Sequence, residues 1–268
     1  FLCLEYQIQL TISGMNSVKN IKILIVGCGK IAKVHARVLK KLINSEHIYC
    51  YDSNIDIQKK FIKEFQLKPF NKNIFYDGLI LCTPTNKHLQ TFKKYLKYAN
   101  FYFIEKPLVN SYAELKELQT IADKKKVYCG LIELHNDIFK ELKNLIGDQK
   151  IVSIQILRHS PKLSSERVTS DAHLDLALHD ISVLLKYFIK YKEIYLYKII
   201  NNLKNKKYFE TSEIILSDKK INVGISLSRI TNKKIRSWRV ITDQNTYELD
   251  LLNNSIRVFE SNSKPIED

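Results

Sequence analysis

Ile21–Ala32 reads Ile-Lys-Ile-Leu-Ile-Val-Gly-Cys-Gly-Lys-Ile-Ala, and this stretch decides the fold. Its first half is a β-branched, apolar run typical of a buried strand, and the run stops at a glycine-rich turn. Apolar residues then recur at helical spacing, at Ile31, Val34, Val38 and Leu42. The sequence therefore predicts a strand, a tight turn and a helix, in that order.

The turn carries the spacing Gly27-x-Gly29-x-x-Ala32, which is a dinucleotide-binding fingerprint. Gly27 allows the sharp turn, Gly29 lets a pyrophosphate approach the backbone, and Ala32 lets the helix pack close to the strand. The N–H groups and the dipole at the helix start favour a bound diphosphate. The residues expected to line that diphosphate are those of the turn and the first helical residues: Gly27, Gly29, Lys30, Ile31 and Ala32.

A carboxylate follows the next predicted strand. His47–Asp52 is a short apolar segment that ends in Asp52, near the spacing of roughly 20 residues expected for an acid that binds ribose hydroxyls. An acid here favours NAD over NADP, because it repels a 2′-phosphate, and Ser53 and Asn54 supply no arginine to receive one. The alternative is a cofactor-free doubly wound domain with an ordinary glycine turn.

Composition excludes several classes of protein. The chain has 268 residues, enough for two modest domains. No apolar run reaches the roughly 18 residues of a membrane helix, and no signal peptide pattern opens the chain, so we expect a cytoplasmic protein. The chain begins at Phe1 and its only methionine is Met15, so residues 1–14 are interpreted as a non-native or disordered extension.

The charge and cysteine content narrow the choice of partners. The formal net charge is +15, but only seven of the 43 basic residues are arginine, and nucleic-acid recognition depends heavily on arginine. We therefore expect no nucleic-acid partner, although a positive field favours an anionic substrate. The five cysteines show no metal-ligand spacing, so we expect reduced, buried thiols and no metal site.

Two patterns divide the chain. The first half alternates strands and helices, which predicts a Rossmann domain with a parallel sheet at residues 15–130. After residue 130, one long helix and short alternating segments predict an α+β domain, residues 131–268, with an open, mostly antiparallel sheet. Asn201 and Asn202 are expected to form a turn between two of those strands. We expect self-association through this sheet, as a homodimer or homotetramer.

Two motifs follow parallel strands at the edge where α/β sheets bind ligands. They are Thr83-Pro84-Thr85 and Glu105-Lys106-Pro107. Pro107 disfavours helical geometry at Lys106, so the ammonium can point into the crevice, and a cis bond between them would aim it further. The alternative is a surface lysine in a lysine-rich protein.

A third motif lies on the long helix predicted at residues 171–190. Asp175 and His179 are four residues apart and share one face, so the carboxylate can orient the imidazole and raise its basicity. The alternative is a helix N-terminal acid and a satisfied histidine. The apolar stripe of this helix is expected at Leu174, Leu178, Ile181 and Leu185. Candidates to meet a substrate diphosphate are Arg158, Arg167 and Arg229, with solvated sheet-surface arginines as the alternative.

These motifs and their order along the chain resemble those of the glucose–fructose oxidoreductase, inositol dehydrogenase and MocA (Gfo/Idh/MocA) family. The matching residues are the glycine turn, Asp52, Thr83-Pro84-Thr85 with His88, Glu105-Lys106-Pro107, and Asp175-x-x-x-His179. Within the family, the segment Gly130–Asn136 is similar to that of nucleotide-sugar 3-dehydrogenases. The resemblance implies an NAD-dependent enzyme that oxidises a secondary hydroxyl of a sugar, with hydride passing to the nicotinamide.

The resemblance also implies roles for residues. Lys106 and His179 would handle the hydroxyl proton, and Asp175 would orient the sugar or the imidazole. The residues implied to line the substrate are Glu133 and Asn136, and those implied to sit against the cofactor are Thr83, Pro84, Thr85, His88 and Glu105. The chain departs from nucleotide-sugar enzymes by having Leu131, Leu134 and Asp137 where they carry His, Arg and Pro. An inositol or free aldose dehydrogenase and a non-catalytic dinucleotide-binding regulatory protein are the alternatives.

Overall fold

The computed structural model describes residues 21–122, 124–161, 170–189, 195–205, 208–217 and 220–260. Its contacts divide the chain between His135 and Asn136 into two compact units, called here the first and the second unit. The extension predicted at residues 1–14 lies outside the described residues. Among the residues that are described, no helix combines the length and apolar character that crossing a membrane needs.

The first unit is built on one parallel sheet. Its strands are β1 Ile23–Val26, β2 Ile48–Tyr51, β3 Lys68–Pro69, β4 Gly78–Leu81, β5 Phe101–Ile104 and β6 Lys126–Cys129. Its helices are α1 Lys30–Leu42, α2 Ile55–Phe65, α3 His88–Tyr95 and α4 Tyr112–Ile121, with 3₁₀ turns at Ser45–His47, Thr85–Lys87 and Ile132–His135. The strand order is β3-β2-β1-β4-β5-β6. The order reverses between β1 and β4, which creates the switch point where such sheets bind ligands, and the predicted Rossmann-type fold is confirmed.

Local chemistry sets the helix ends of this unit. The side chain of Asn54 accepts hydrogen bonds from the N–H groups of Asp56 and Ile57, and Gln66 ends α2 in the left-handed region. At α4, the Ser111 hydroxyl accepts the N–H of Glu114. A 3₁₀ turn at Thr85–Lys87 leads into α3, which ends at Tyr95.

The buried face of α1 agrees with the predicted stripe except at its first residue. The structure buries Ala32, His35, Ala36, Val38 and Leu39, and Val34 and Leu42 are partly buried against the same core, whereas Ile31 is 37% exposed. Small side chains face the sheet because a parallel sheet and its helix approach closely at this point. A histidine therefore lies in the core of the first unit, which the apolar pattern alone did not indicate.

In its described residues, the second unit consists of two helices and a seven-stranded sheet. The helices are α5 Ile138–Ile146 and α6 Ala172–Tyr187, and the strands are β7 Ile151–His159, β8 Tyr195–Asn205, β9 Tyr208–Ser217, β10 Asn222–Ser228, β11 Ile235–Thr242, β12 Asn245–Asp250 and β13 Ser255–Glu260. The strand order is β13-β12-β11-β7-β10-β9-β8. Only the β10–β7 pair among these described pairs is parallel. The predicted open, mostly antiparallel sheet is confirmed.

The turn predicted at Asn201-Asn202 is wrong. Both residues lie inside β8, where they pair with Ser212 and Thr211 of β9. Asparagine favours turns through local hydrogen bonds, but here a long antiparallel ladder satisfies the backbone and overrides that preference.

Candidate functional site

Gly27 is the residue that turns the chain after β1. Its φ is +92°, and a Cβ built on it would lie 2.8 Å from the backbone carbonyl carbon of Cys82. Its N–H donates to the carbonyl of Tyr51 at 2.8 Å. No L-side chain fits this position without strain and overlap, so the glycine joins β1 to the ends of both neighbouring strands.

Gly29 leaves the start of α1 open. It is the N-cap residue, no side chain caps the helix, and the first turn carries no acid. A Cβ built on Gly29 would meet nothing within 4 Å, and Ala32, by contrast, is fully buried. The start of this 13-residue helix therefore has no capping side chain and lies beside exposed Lys30, an arrangement that suits a diphosphate.

Asp52 lies beside this open helix end. Its Oδ2 accepts the N–H of Cys28 at 2.7 Å, and its Oδ1 accepts the N–H of Asn54 at 2.8 Å. Its own N–H donates to Oε1 of Gln58 at 3.1 Å. A carboxylate has about four acceptor sites, so the group held here retains acceptor capacity for ribose hydroxyls. The residues present therefore fit a dinucleotide.

The motif after β4 is fixed mainly by a buried histidine. Pro84 is exposed and Thr85 is buried at the start of a 3₁₀ turn. His88 is 1% exposed, and its Nε2 lies 2.7 Å from the carbonyl oxygen of Thr83. Its Nδ1 lies 3.0 Å from the carbonyl oxygen of Pro107. Backbone oxygens lie within hydrogen-bond distance of both ring nitrogens, so His88 connects two loops, and its implied role as a cofactor contact stays a prediction.

The motif after β5 also turns a charged side chain inward. Oε1 of Glu105 lies 2.6 Å from Nε2 of His35, which is fully buried. Its Oε2 lies 3.1 Å from the position that a Cβ on Gly130 would take. Sequence reasoning missed His35, although its place three residues after Ala32, on the side of α1 that faces the sheet, was a usable signal.

Lys106 follows directly and is half-buried. The Lys106–Pro107 peptide bond is cis, and the N–H of Lys106 donates to Oε2 of Glu105 at 3.3 Å. Burial, and then the negative charge of Glu105, raise the pKa of the Cys129 thiol to about 12, while the positive charge of Lys106 opposes that rise. The two charges of this motif therefore act on the same thiol at the end of β6.

The second unit holds the helical pair. Asp175 is half-buried and His179 is 8% exposed, both on α6. Arg229, 1% exposed, has its NH1 at 3.7 Å from Oδ2 of Asp175 and donates through Nε to Glu210 at 3.1 Å. Its other donors reach the carbonyl oxygens of Ser170 and Phe209, each at 2.8 Å. Arg229 thus holds the first turn of α6, and its candidate role as a diphosphate ligand stays a prediction.

Arg158 is also buried in an ion pair, and its predicted role toward substrate stays a prediction. Both it and Asp180 are 1% exposed, and they form a bidentate ion pair in which NH2 lies 2.9 Å from Oδ1. The indole N–H of Trp238 donates to the same Oδ1 at 2.9 Å. The cation that the sequence predicts for substrate is used to neutralise a buried acid. Arg167, the third candidate, lies outside the described residues.

The two other predicted substrate residues lie near the boundary of the units. Glu133 is 6% exposed within the 3₁₀ turn Ile132–His135. Asn136 accepts the N–H of Ile138 through its Oδ1 at 3.3 Å and so caps the start of α5. Their roles toward substrate stay predictions. In the described part of the chain, no three His, Cys, Asp or Glu side chains are grouped to hold a metal ion.

The buried face of α6 also differs from the predicted stripe. The residues buried on this helix are Ala172, Ala177, His179, Asp180, Val183 and Leu184. The predicted leucine and isoleucine stripe is only partly buried. The cause is the ion pair, because neutralised Asp180 takes a core position that the apolar pattern reserved for a hydrocarbon side chain.

Comparisons with known proteins identify the nucleotide-binding part. Residues 21–132 match the Gfo/Idh/MocA family model, described as an oxidoreductase family with an NAD-binding Rossmann fold. Myo-inositol 2-dehydrogenase of Thermotoga maritima is 24% identical over 180 residues, covering 59% of this chain and 52% of that protein. Glucose-6-phosphate 3-dehydrogenase of Bacillus subtilis is 29% identical over 153 residues, covering 54% and 44%. The matches span about half the length of these curated relatives.

Solved structures share the fold over a longer range. The WlbA dehydrogenase from Bordetella pertussis, in complex with NADH and UDP-GlcNAcA, has a TM-score of 0.78 at 15% identity, covering 93% of this chain and 80% of that one. KijD10, a 3-ketoreductase from Actinomadura kijaniata in complex with TDP-benzene and NADP, has a TM-score of 0.78 at 12% identity, covering 91% and 82%. At these identities the likeness is one of fold.

Proposed function

We propose that this chain is an oxidoreductase of the Gfo/Idh/MocA type, because its residues 21–132 match the model of that family, which is described as having an NAD-binding Rossmann fold. The proposed activity is the NAD-dependent oxidation of a secondary hydroxyl of a sugar. The observation that carries the proposal is the open N-terminus of α1, bordered by the carboxylate of Asp52. A helix end of this kind with an adjacent acid suits a dinucleotide better than any other ligand class.

The proposed cofactor is NAD, held by this chain's own groups. The N–H groups at Gly29 and Lys30 would bind the diphosphate, and Asp52 would accept hydrogen bonds from ribose hydroxyls. NADP is disfavoured because a 2′-phosphate would meet the negative charge of Asp52, and no arginine lies in the adjoining residues Ser53 and Asn54. When bound, NAD supplies the acceptor for the hydride that leaves the sugar carbon.

In the proposed reaction, side chains of the protein remove the proton of the substrate hydroxyl. Loss of hydride from the carbon leaves a protonated carbonyl unless a base removes the O–H proton. We assign that proton to Lys106 and His179, with Asp175 orienting the imidazole or the sugar. Arg229 supports this assignment for Asp175, because its buried guanidinium lies 3.7 Å from the carboxylate.

The proposed substrate is a nucleotide sugar of the UDP-N-acetylhexosamine type. The WlbA complex, which contains UDP-GlcNAcA, supports it, as does the net positive charge of +15. One observation favours a second candidate, an inositol or free sugar. Arg158 and Arg229 are both buried in ion pairs, so neither is available to neutralise a diphosphate.

The test begins with ligand binding and then removes the proposed catalytic amine. Wild-type protein is heated with NAD and, in separate samples, with UDP-sugars, inositols and free aldoses, since a ligand that binds the native state raises its melting temperature. The Lys106→Ala variant should lose at least about 100-fold in kcat while its NAD affinity stays within about twofold. Lys59→Ala, an exposed lysine of α2, is the matched control and should behave as wild type.

The outcomes separate the candidates. A melting shift with UDP-sugars alone supports the nucleotide-sugar proposal, and a shift with inositols or aldoses alone supports the second candidate. NAD binding without turnover of any of these substrates would favour the regulatory alternative. Turnover that persists in Lys106→Ala would overturn the catalytic assignment.

The proposed assembly is a homodimer or homotetramer formed through the sheet of the second unit. It rests on the open face of that sheet, which exposes apolar side chains such as Leu157 and Ile215. Light scattering on wild-type protein and on Leu157→Lys tests it. We expect the variant to be monomeric, and an unchanged mass would remove this face from the interface.

A further inference from the structure

We propose that His35 is a positioning residue for Lys106 and acts on it through Glu105. The proposal deepens the proposed function, on which it depends for the role of Lys106. Its physical content is that a buried imidazole fixes the carboxylate beside the reactive amine. Neither a fold prediction nor the glycine fingerprint assigns His35 any role.

Burying the His35 side chain costs free energy unless its ring nitrogens are hydrogen-bonded. The residue is fully buried in the apolar core of the first unit, and its ring meets the edge of Phe103 at a centroid distance of 5.2 Å. Its Nδ1 has no hydrogen-bond partner among the described residues. Burying an unsatisfied ring nitrogen costs free energy that a leucine or methionine would not incur, so stability alone does not favour a histidine.

Its one bonded nitrogen faces Glu105. Nε2 lies 2.6 Å from Oε1 of Glu105, and a carboxylate oxygen only accepts, so Nε2 donates the proton. In a neutral imidazole, donation from Nε2 leaves Nδ1 as the acceptor. A short hydrogen bond to a charged acceptor is stronger than a neutral one, and it compensates part of the cost of burying the ring.

Glu105 is held on more than one side. Its Oε2 accepts the N–H of Lys106 at 3.3 Å, and its own N–H donates to the carbonyl of Leu81 at 3.1 Å. Gly130 leaves the space that Oε2 occupies, because an added Cβ would lie 3.1 Å from that oxygen. His35 supplies the only neutral side-chain donor that the structure gives to Oε1 in its described contacts.

The negative charge of Glu105 acts on two neighbouring thiols. Its charge contributes to raising the pKa of the thiols of Cys82 and Cys129, on the strands at either side of β5, in both cases after burial itself. Lys106 acts on Cys129 in the opposite sense. Without its hydrogen bond to His35, the Glu105 side chain is free to change rotamer. A change of rotamer would move its negative charge relative to the amine of Lys106.

A purely structural role makes a different prediction. If His35 only fills the core, its replacement lowers stability and leaves the chemistry of Lys106 unchanged. If it positions Lys106 through Glu105, its replacement alters the reactivity of the amine, and a substitute that keeps the hydrogen bond restores that reactivity.

The experiment compares His35→Met, which fills the volume without a donor, with His35→Gln, whose amide can donate to Glu105. Cofactor-free proteins are acetylated with trace acetic anhydride, and the labelling rate of Lys106 relative to that of Lys59 is read by mass spectrometry. We expect the relative rate to change at least about threefold in His35→Met and to stay within about 1.5-fold of wild type in His35→Gln. Equal rates in all three proteins would overturn the proposal.

Steady-state kinetics give the second readout. His35→Met should lower kcat about tenfold with KM for NAD within about twofold, and His35→Gln should recover most of the loss. Glu105→Gln provides the same test if His35→Met fails to fold, and where both variants fold, the effects of His35→Met and Glu105→Gln on labelling should be non-additive because both break one bond. Additive effects would contradict a shared path.

The two proposals fail separately. If wild-type protein oxidises no sugar, the proposed function fails and labelling still decides the link between His35 and Lys106. If the protein is an active dehydrogenase and neither labelling nor kcat responds to His35→Met, only the positioning role fails.

Discussion

Gly27 and Gly29 share one turn and meet different physical demands. The fold requires a glycine at position 27, because its φ is positive and a Cβ there would overlap the backbone of Cys82. Gly29 has ordinary φ of −78° and faces open space, so its missing side chain matters for what approaches from outside. Within one fingerprint, the first glycine is a requirement of structure and the second a requirement of binding.

Replacing each glycine by alanine separates these demands. Gly27→Ala should lower the free energy of unfolding by about 2–4 kcal/mol, since it combines left-handed strain with backbone overlap. Gly29→Ala, the matched control, should change it by less than about 1 kcal/mol and weaken NAD binding at least about tenfold. Urea unfolding and calorimetric titration measure the two effects. Equal losses of stability would contradict the assignment.

Asp52 combines a structural bond with the proposed choice of cofactor. Its carboxylate bonds the N–H of Cys28 in the glycine turn, and Asp52→Asn keeps an oxygen for that bond while removing the charge. We expect the ratio of the NADP to the NAD dissociation constant to fall about tenfold, as measured by calorimetric titration. Asp56→Asn, at an exposed position of α2, should leave the ratio unchanged. An unaltered ratio in Asp52→Asn would place the charge away from the ribose.

At the scale of the element, buried ion pairs and hydrogen bonds hold α6 to the sheet of the second unit. Asp180 in its middle accepts bonds from Arg158 of β7 and Trp238 of β11, while Arg229 holds its first turn near Asp175. The helix therefore carries its proposed catalytic residues on a segment that is tied to the sheet at two points. Such ties limit movement of the imidazole of His179, which the chemistry requires.

Breaking the central tie should be costly. Asp180→Ala leaves the buried guanidinium of Arg158 without its counter-charge and should lower the free energy of unfolding of the second unit by about 3–5 kcal/mol. Trp238, the only tryptophan, reports this unit by fluorescence during urea unfolding. The double variant Arg158→Met with Asp180→Leu should recover most of the loss, because neither partner of this ion pair is left as an unpaired buried charge. A loss under about 1 kcal/mol would show that the pair is dispensable.

At the scale of the whole molecule, the two units differ in their buried acids. The first unit buries several phenols and thiols whose pKa values are raised, chiefly by burial or by a neighbouring thiol. They are Cys28, Tyr76, Cys82, Tyr95, Tyr102 and Cys129. In the described part of the second unit, the shifted pKa values are those of Asp137 and Asp250, and in both cases hydrogen bonds to the carboxylate lower the pKa. The units should therefore respond differently to alkali.

The alkaline response follows from the sign of these shifts. Burial raises the pKa of Tyr102 from 10.0 to about 12, and that of Cys129 from 9.0 to about 12. The protonated forms are favoured in the fold, so the stability they contribute is complete below about pH 9 and is lost as the pH rises toward 12. Each such group contributes about 1.4 kcal/mol per pH unit within its window.

Hydrogen exchange measured by mass spectrometry between pH 8 and pH 10.5 checks this expectation peptide by peptide, after correction for the intrinsic rate. We expect protection to fall earlier in the first unit than in the second. Tyr102→Phe should make the fall less steep, because it removes one titrating group. A parallel fall in both units would contradict the argument.

The sequence by itself determined the strand, turn and helix at Ile21–Leu42 and the acid that follows β2. These depend on local chemistry: a positive φ and an apolar period. Local periodicity also predicted the two kinds of sheet, because alternation and strand–helix succession are properties of neighbouring residues.

Only the tertiary structure decided which polar side chains meet. His35 and Glu105 are 70 residues apart, Arg158 and Asp180 are 22 apart, and His88 bonds carbonyl groups of two separate loops. Such pairs form where strands and helices bring distant positions together, so no spacing along the chain indicates them. For that reason two arginines assigned to substrate are buried braces, and a core histidine became the candidate that links the glycine-loop helix to Lys106.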